Sequence, residues 1–226
     1  MIRMHAVVEG QTEETFVNNV LAPELGPLNV VIDAHRVTTG RLKARAFRGG
    51  LVKYGHLRKD LDLWMRQDDH LDSWFTTMVD LYALPGDFPG LASCAQVRDP
   101  YGRVECLEEG FERDMAHRRF IPYIQLHEFE ALLFAAPRKF EVAFPGAVSK
   151  MDELVSIRDI FSTPEHIDDG FDSAPSKRIL QIFPGYKKTV AGPEISAQIG
   201  MATLRRECPH FDGWMRRIEQ VAASTA

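Results

Sequence analysis

The sequence predicts an α/β protein: a parallel four-stranded sheet flanked by helices, with a helical C-terminal region. Three observations lead there. The apolar, partly β-branched run Ile2 to Val8 stops abruptly at Glu9-Gly10, turns at once to helical periodicity, and is followed by a second apolar run. Strand, helix, strand in that order is the pattern of a right-handed βαβ unit. Three strand-like runs end in acids, and the strand signals then fade into helical segments punctuated by proline.

Ile2 to Val8 reads as a buried strand. Thr12 is a plausible N-cap for the helix that follows, whose apolar face holds Phe16, Val17, Val20 and Leu21 and which Pro23 to Pro27 close. Leu28 to Ile32, running on to His35, is the second strand. Thr38 to Gly50, with Gly40, Gly49 and Gly50, has no clear period and reads as a loop. Leu51 to Gln67 is helical, with Leu57, Leu61 and Trp64 on one face; Trp74 to Val79 is a third strand ending at Asp80. Pro85, Gly86, Pro89 and Gly90 impose a loop, Arg103 to Arg118 an amphipathic helix, and Phe120 to Leu126 a fourth strand ending on His127-Glu128-Phe129-Glu130. Phe129 to Ala135, Met151 to Ile160, Ser176 to Phe183, Glu194 to Glu207 and Phe211 to Ala223 read as helices. The expected division is an α/β core over residues 1–136 and a helical extension over 137–226, packed as one unit.

Composition narrows the class. With 226 residues, 45% hydrophobic and 26% charged, the chain has the makeup of a globular protein with a proper core. A net charge of -5 offers no global attraction to nucleic acid but leaves room for a local basic patch. Cys94, Cys106 and Cys208 form no CxxC pair, which argues against a disulfide framework or a cysteine zinc site and for a reducing compartment. The longest apolar runs, such as Ala131 to Ala136, fall far short of a membrane span, and no signal-like layout opens the chain. No membrane partner is expected, and the expected location is cytoplasmic.

The acids at the strand ends carry the functional expectation. In a parallel sheet Glu9, Asp80 and the Glu128/Glu130 pair fall along one edge, where α/β sheets bind ligands. Clustered carboxylates repel unless a cation neutralises them, and hard oxygen ligands suit Mg²⁺ or Mn²⁺. Glu13, four residues after Glu9, falls near the same edge. Taken singly, each acid is as well explained by complementing a helix dipole. His127-Glu128 begins like a zinc-protease helix, but position 131 is Ala where a second histidine is needed, so His127 is expected to support the acids rather than bind metal. No phosphate-binding Walker loop or nucleophile elbow is present.

Basic residues supply the complementary charge. Arg36, Arg41, Lys43, Arg45, Arg48, Lys53, Arg58 and Lys59 run without an intervening acid, a local positive field of the kind phosphodiester substrates require. A second set, Lys177, Arg178, Lys187 and Lys188, brackets Phe183-Pro184-Gly185-Tyr186, from which a lysine could steady a phosphate as a point charge.

The run Val8-Glu9-Gly10-Gln11-Thr12-Glu13 resembles a Toprim-related group long catalogued only as a domain of unknown function. So do Val79-Asp80-Leu81-Tyr82 with Asp87-Phe88-Pro89-Gly90, and His127-Glu128-Phe129-Glu130 with Ala131-Leu132-Leu133-Phe134. Phe183-Pro184-Gly185-Tyr186-Lys187-Lys188 and Cys208-Pro209-His210-Phe211 with Trp214 extend the resemblance over nearly the whole chain. Toprim domains occur in topoisomerases, primases and overcoming-lysogenization-defect (OLD) nucleases. The resemblance implies a Toprim-like, Rossmann-like sheet, with Glu9 as the acid after the first strand, Asp80 as the first aspartate after the third, and Glu13 as the second glutamate of nuclease-type members. It implies Mg²⁺ chemistry on phosphodiesters. Where the usual motif has a second aspartate this chain has Tyr82, which leaves Asp87, Glu128 or Glu130 to replace it. Some members of the group resemble the Toprim effector of the PARIS anti-phage pair, and for those the resemblance implies an ABC-type ATPase partner and cleavage of transfer RNA.

The leading expectation is therefore a metal-dependent nuclease. Glu9, Asp80 and Glu128 bind Mg²⁺ or Mn²⁺, Glu13 and Glu130 assist, and His127 and Asp87 lie behind them. Arg41, Lys43, Arg45, Arg48 and Lys177 grip DNA or RNA, with a homodimer open as an assembly. A degenerate interaction protein that binds an ATPase or nucleic acid without cutting is the alternative, and a primase-like or phosphotransfer enzyme the third reading.

Overall fold

The computed structural model describes residues 1–38, 53–167 and 173–225. Its centre is a parallel sheet in the order β2-β1-β3-β4, with β5 also paired to β3. The strands are β1 (Ile2–Val8), β2 (Val30–Arg36), β3 (Ser73–Asp80), β4 (Phe120–Ile121) and β5 (Ile124–Gln125). Register pairs Val8 with Arg36 and Met78, and Asp80 with Gln125, so every strand runs its carboxyl end to one edge. β1 lies between two neighbours and is buried nearly throughout, hence its mostly apolar run, broken at Arg3 and His5. β2 is the edge, and its outer face is polar and partly exposed.

The expected fourth strand is two short ones. Pro122 has no N–H to give the ladder, and the break is repaired by side chains of β3. The Thr76 hydroxyl donates to the Ile121 carbonyl at 2.6 Å, the Thr77 hydroxyl donates to the Tyr123 carbonyl at 3.0 Å, and the Tyr123 N–H donates back to the Thr77 oxygen at 3.0 Å. The Trp214 indole also donates to Thr76 at 2.9 Å, tying the C-terminal region to the middle of the sheet.

Helices cover both faces. After β1 come α1 (Gln11–Phe16), a π-helical stretch (Val17–Leu21) and α2 (Ala22–Leu25). The N-cap is Gly10, two residues earlier than the expected Thr12. Pro23 does not end the run: it enters the first turn of α2, and the π stretch precedes it. A proline leaves the carbonyl four residues back without its usual donor, and a widened turn accommodates that. The chain continues through α3 (Tyr54–Gln67), α4 (Leu91–Cys94), α5 (Pro100–Met115), a 3₁₀ stretch (Phe129–Ala135), α6 (Val148–Arg158), α7 (Pro175–Ile182), α8 (Lys188–Ile199), α9 (Met201–Glu207) and α10 (Pro209–Thr225). α8 runs through Pro193, where a break was expected, and the real break is Gly200, whose φ of 79° ends α8 before α9 begins.

The face of the sheet that includes Val7, Phe75 and Val79 packs against Leu57 and Leu61 of α3 and Leu107 and Phe111 of α5. The opposite face, with Met4, Ala6 and Val8, packs against α1 and against Leu154, Ile179, Ile195, Leu204 and Phe211. Residues from before and after position 136 thus share one core. The Cys208-Pro209-His210-Phe211 run serves that packing: the buried Glu165 carboxylate accepts the N–H groups of His210 and Phe211 at 2.9 and 3.0 Å, filling orphan donors at the start of α10. One expectation is corrected. Cys94 and Cys106 are joined in a disulfide across α4 and α5, with a Cα separation of 5.9 Å, and only Cys208 is free among the cysteines. The thiol argument for a reducing compartment therefore lapses.

Thr76→Val leaves the buried Trp214 indole without an acceptor and the Ile121 carbonyl without that donor. With about 1–3 kcal/mol for each stranded group, urea unfolding is expected to show a loss of about 2–4 kcal/mol. Thr15→Val, on the exposed side of α1, should change stability by less than about 0.5 kcal/mol.

Candidate functional site

The carboxyl edge of the sheet is where the acids meet. Glu9 leaves β1 still in register, its N–H donating to the Met78 carbonyl at 3.1 Å, while its Oε2 accepts the Asp80 N–H at 3.1 Å. Asp80, the last residue of β3, is buried, and its Oδ1 accepts the Phe129 N–H at 3.0 Å. That contact starts the 3₁₀ stretch, whose first turn carries Glu130. Glu130 is fully buried: Oε1 accepts the Tyr186 hydroxyl at 3.4 Å, and Oε2 has no hydrogen-bond partner. Glu128 is half-buried and caps α7 by accepting the Ser176 N–H at 3.0 Å. Glu13, in the first turn of α1, is buried as well.

Two glycines make this approach possible. Gly10 has φ -152°, a conformation open to any residue, so a sharp turn is not what requires it. A Cβ there would stand 3.2 Å from a Glu13 carboxylate oxygen, so the constraint is space. A Cβ on Gly192 of α8 would come within 3.1 Å of both Phe129 and the Tyr186 hydroxyl, so the bare backbone lets α8 close on α1 and the acids.

The electrostatics are those of crowded anions. Burial raises Glu9, Glu13 and Asp80 above the ordinary carboxylate range, and the neighbouring carboxylates push them further. Burial likewise takes Glu130 to about 7, with Glu128 and Glu13 adding to the shift. Lys188, the first residue of α8, opposes all four. Its ammonium is disfavoured by desolvation, yet Glu130, Asp80, Glu13 and Glu9 outweigh that and hold it above the usual lysine value, although the side chain reaches solvent.

One lysine faces four carboxylates, with Glu128 beside them, so this edge can take up protons or a hard cation. The donor set is all oxygen, as Mg²⁺ and Mn²⁺ prefer, and the partnerless Glu130 Oε2 is an unused buried acceptor. The acids are set wider than a closed ligand cage. Among the described residues the trio with ligating atoms all within 4.8 Å is His5, Asp33 and His35, on β1 and β2. Wide spacing is compatible with Mg²⁺, which usually keeps several of its waters.

Of the residues singled out from sequence, Glu9, Glu13, Asp80, Glu128 and Glu130 come together here. Asp87 is placed elsewhere, accepting the Tyr54 N–H at 3.0 Å at the start of α3. His127 takes a positive φ of 63°, and its carbonyl accepts the N–H of the exposed Tyr82 at 3.0 Å. Lys177 is exposed on α7. Arg41, Lys43, Arg45 and Arg48 lie outside the described residues. Tyr186 was expected only as part of a motif, and Lys188 only as one of four basic residues from which a lysine could steady a phosphate. The helix that Lys188 opens was expected to begin only at Glu194, so no local signal separated Lys188 from Lys187.

Fold and site define an α/β protein whose parallel sheet presents an acid-lined edge countered by one lysine. The chain belongs to the DUF4276 family, described as a domain of unknown function, whose model matches residues 8–219 and so includes every acid of the cluster and Lys188. Neither a curated protein nor a solved structure matches it. Among the described residues no helix is long and apolar enough to cross a membrane.

The Glu130 shift sets a pH dependence. Its folded value of about 7 lies above the ordinary 4.5, so its contribution to stability is complete below about 4.5 and is lost as pH rises through 7. At about 1.4 kcal/mol per unit, the loss is on the order of 3 kcal/mol. In EDTA, Glu130→Gln should be more stable than wild type at pH 8, with the difference vanishing toward pH 4.5. Urea unfolding across that range checks it.

Proposed function

We propose that this chain is a metal-dependent, Toprim-like nuclease acting on phosphodiester bonds of nucleic acid. The observation that supports it most is the gathering of Glu9, Glu13, Asp80 and Glu130 at the carboxyl edge of a parallel sheet, with Glu128 beside them and Lys188 opposite. In this reading Glu9, Asp80 and Glu128 hold Mg²⁺ or Mn²⁺, whose contribution when bound is to activate water and offset charge on the scissile phosphate. Lys188 is the residue of this chain suited to meet a phosphate oxygen, as a point charge already biased toward its ammonium form. Glu130, held near neutrality, is suited to take up and return a proton at Oε2. The basic segment with Arg41, Lys43, Arg45 and Arg48, together with Lys177, is assigned to the substrate backbone.

The tyrosine at position 82 favours one competing reading, a degenerate Toprim fold that binds nucleic acid or a partner without cleaving. Two features weigh against it: Glu13 and Glu130 supply carboxylates beyond those of Glu9 and Asp80, and an inert site gains nothing from keeping them buried together. The similarity to anti-phage effectors extends the proposal to a restraining ABC-type ATPase and to transfer RNA as substrate.

Cleavage of single- and double-stranded DNA, RNA and transfer RNA with Mg²⁺ or Mn²⁺ tests the proposal. Glu9→Ala and Lys188→Ala are each expected to reduce the rate by about 100-fold or more. A folded Glu9→Ala protein that cuts as fast as wild type would sink the assignment. Calorimetric Mg²⁺ binding that is absent in wild type would favour the degenerate reading.

A further inference from the structure

A second constellation lies at the edge of the sheet, away from the acids. His5 of β1 and Asp33 of β2 are register partners, and His35 follows two residues along β2 on the same face. His5 Nδ1 stands 3.4 Å from His35 Nε2 and 3.5 Å from Asp33 Oδ1, and His35 Nε2 stands 2.5 Å from Asp33 Oδ2. Ligands bound at 2.0–2.1 Å around a tetrahedral ion are separated by about 3.3 Å. Two of the three spacings are therefore those of a zinc ligand set without further movement, and a small rotation of Asp33 would open the third.

The surroundings orient the rings for that purpose. His5 Nε2 faces Asp68 Oδ2 at 2.9 Å, and the other Asp68 oxygen accepts Arg3 at 2.9 Å. A carboxylate on the far nitrogen fixes the proton there and turns the lone pair of Nδ1 inward, as in carboxylate–histidine–zinc triads. The His35 ring is stacked on Trp64 with centroids 3.7 Å apart, and His5 stacks on Trp64 and Phe75 at 5.1 and 5.6 Å. His5 Nδ1 thus faces both a carboxylate oxygen and a second imidazole nitrogen, a position that either a proton on Nδ1 or a cation shared by the three groups can fill. The His5 side chain is 10% exposed, His35 24% and Asp33 47%, so the trio is closed on its inner side and open to water at a fourth position.

We infer that His5, Asp33 and His35 form a three-ligand Zn²⁺ site, oriented by Asp68 and separate from the acid-lined edge. Imidazole nitrogens suit Zn²⁺, and Mg²⁺ sites are oxygen-only; the two sites of this molecule thus select different cations. Bound Zn²⁺ would clamp the edge strand β2 to β1. His5 and Glu9 are four residues apart, about 13 Å along a strand, so neither site depends on the other being correctly assigned.

The test is titration of metal-free protein with ZnCl₂ by calorimetry and with CoCl₂ by visible absorption. With excess Mg²⁺ present to occupy the acid-lined edge, one equivalent should bind, with the ligand-field bands of a tetrahedral nitrogen–oxygen site for Co²⁺ and a higher melting temperature with Zn²⁺. His35→Ala and Asp33→Ala, checked for folding by circular dichroism, should abolish the bands and weaken Zn²⁺ at least 100-fold. Asp68→Asn should weaken it about 10–100-fold, and Glu9→Gln should leave it unchanged. Absence of Zn²⁺ binding in wild type overturns the inference; so does binding that survives both ligand substitutions, or binding lost in Glu9→Gln.

Discussion

Like charge held at the mouth of a parallel sheet is the constraint from which much of this structure follows. At a separation of about 6 Å and an effective dielectric near 20, two carboxylates repel by roughly 3 kcal/mol. Several such pairs together rival the whole net stability of a typical domain, about 5–15 kcal/mol. Glu9, Glu13, Asp80 and Glu130 therefore cannot all be ionised here without a compensating cation. Their raised pKa values express the same fact from the protonation side.

The helical C-terminal region answers that constraint. It brings Lys188 to face the acids, the Tyr186 hydroxyl to Glu130, and the Ser176 N–H to Glu128. Gly192 lets α8 approach closely enough for this. The indole of Trp214 reaches Thr76 in the middle of β3, so the same region also helps hold the strand that delivers Asp80. The expected extension is thus part of the site, and a division near residue 136 runs through a shared core.

What was legible in the sequence was what local patterns control. Strands ending at Val8 and Asp80, and the acids after them, follow from apolar runs that stop abruptly, since one residue type per position suffices to show them. The features that stayed hidden depend on contacts between distant segments. Lys188 is 179 residues from Glu9, and nothing near it in sequence distinguishes it from Lys187. Pro122 was visible, but that two threonines of β3 would bridge the break was not. Pro193 breaks helices as a rule, yet burial of Ile195 and Ile199 beside it outweighs the lost hydrogen bond. Cys94 and Cys106 looked unrelated because their pairing depends on how α4 packs against α5.

The histidine trio was hidden for a similar reason, although His5, Asp33 and His35 were each in plain view. Their pairing depends on parallel register, which sets His5 opposite Asp33 and leaves His35 two residues on. A shift of one residue would move Asp33 and His35 to the face occupied by Met4 and Ala6 and bury them in the core. Hydrophobic patterning of β2, with Val30 and Ile32 inward, excludes that shift. The packing that places apolar residues on one side of the edge strand thereby places an acid and an imidazole on the other. It sets them against the one polar residue, His5, that interrupts the apolar run from Met4 to Val8.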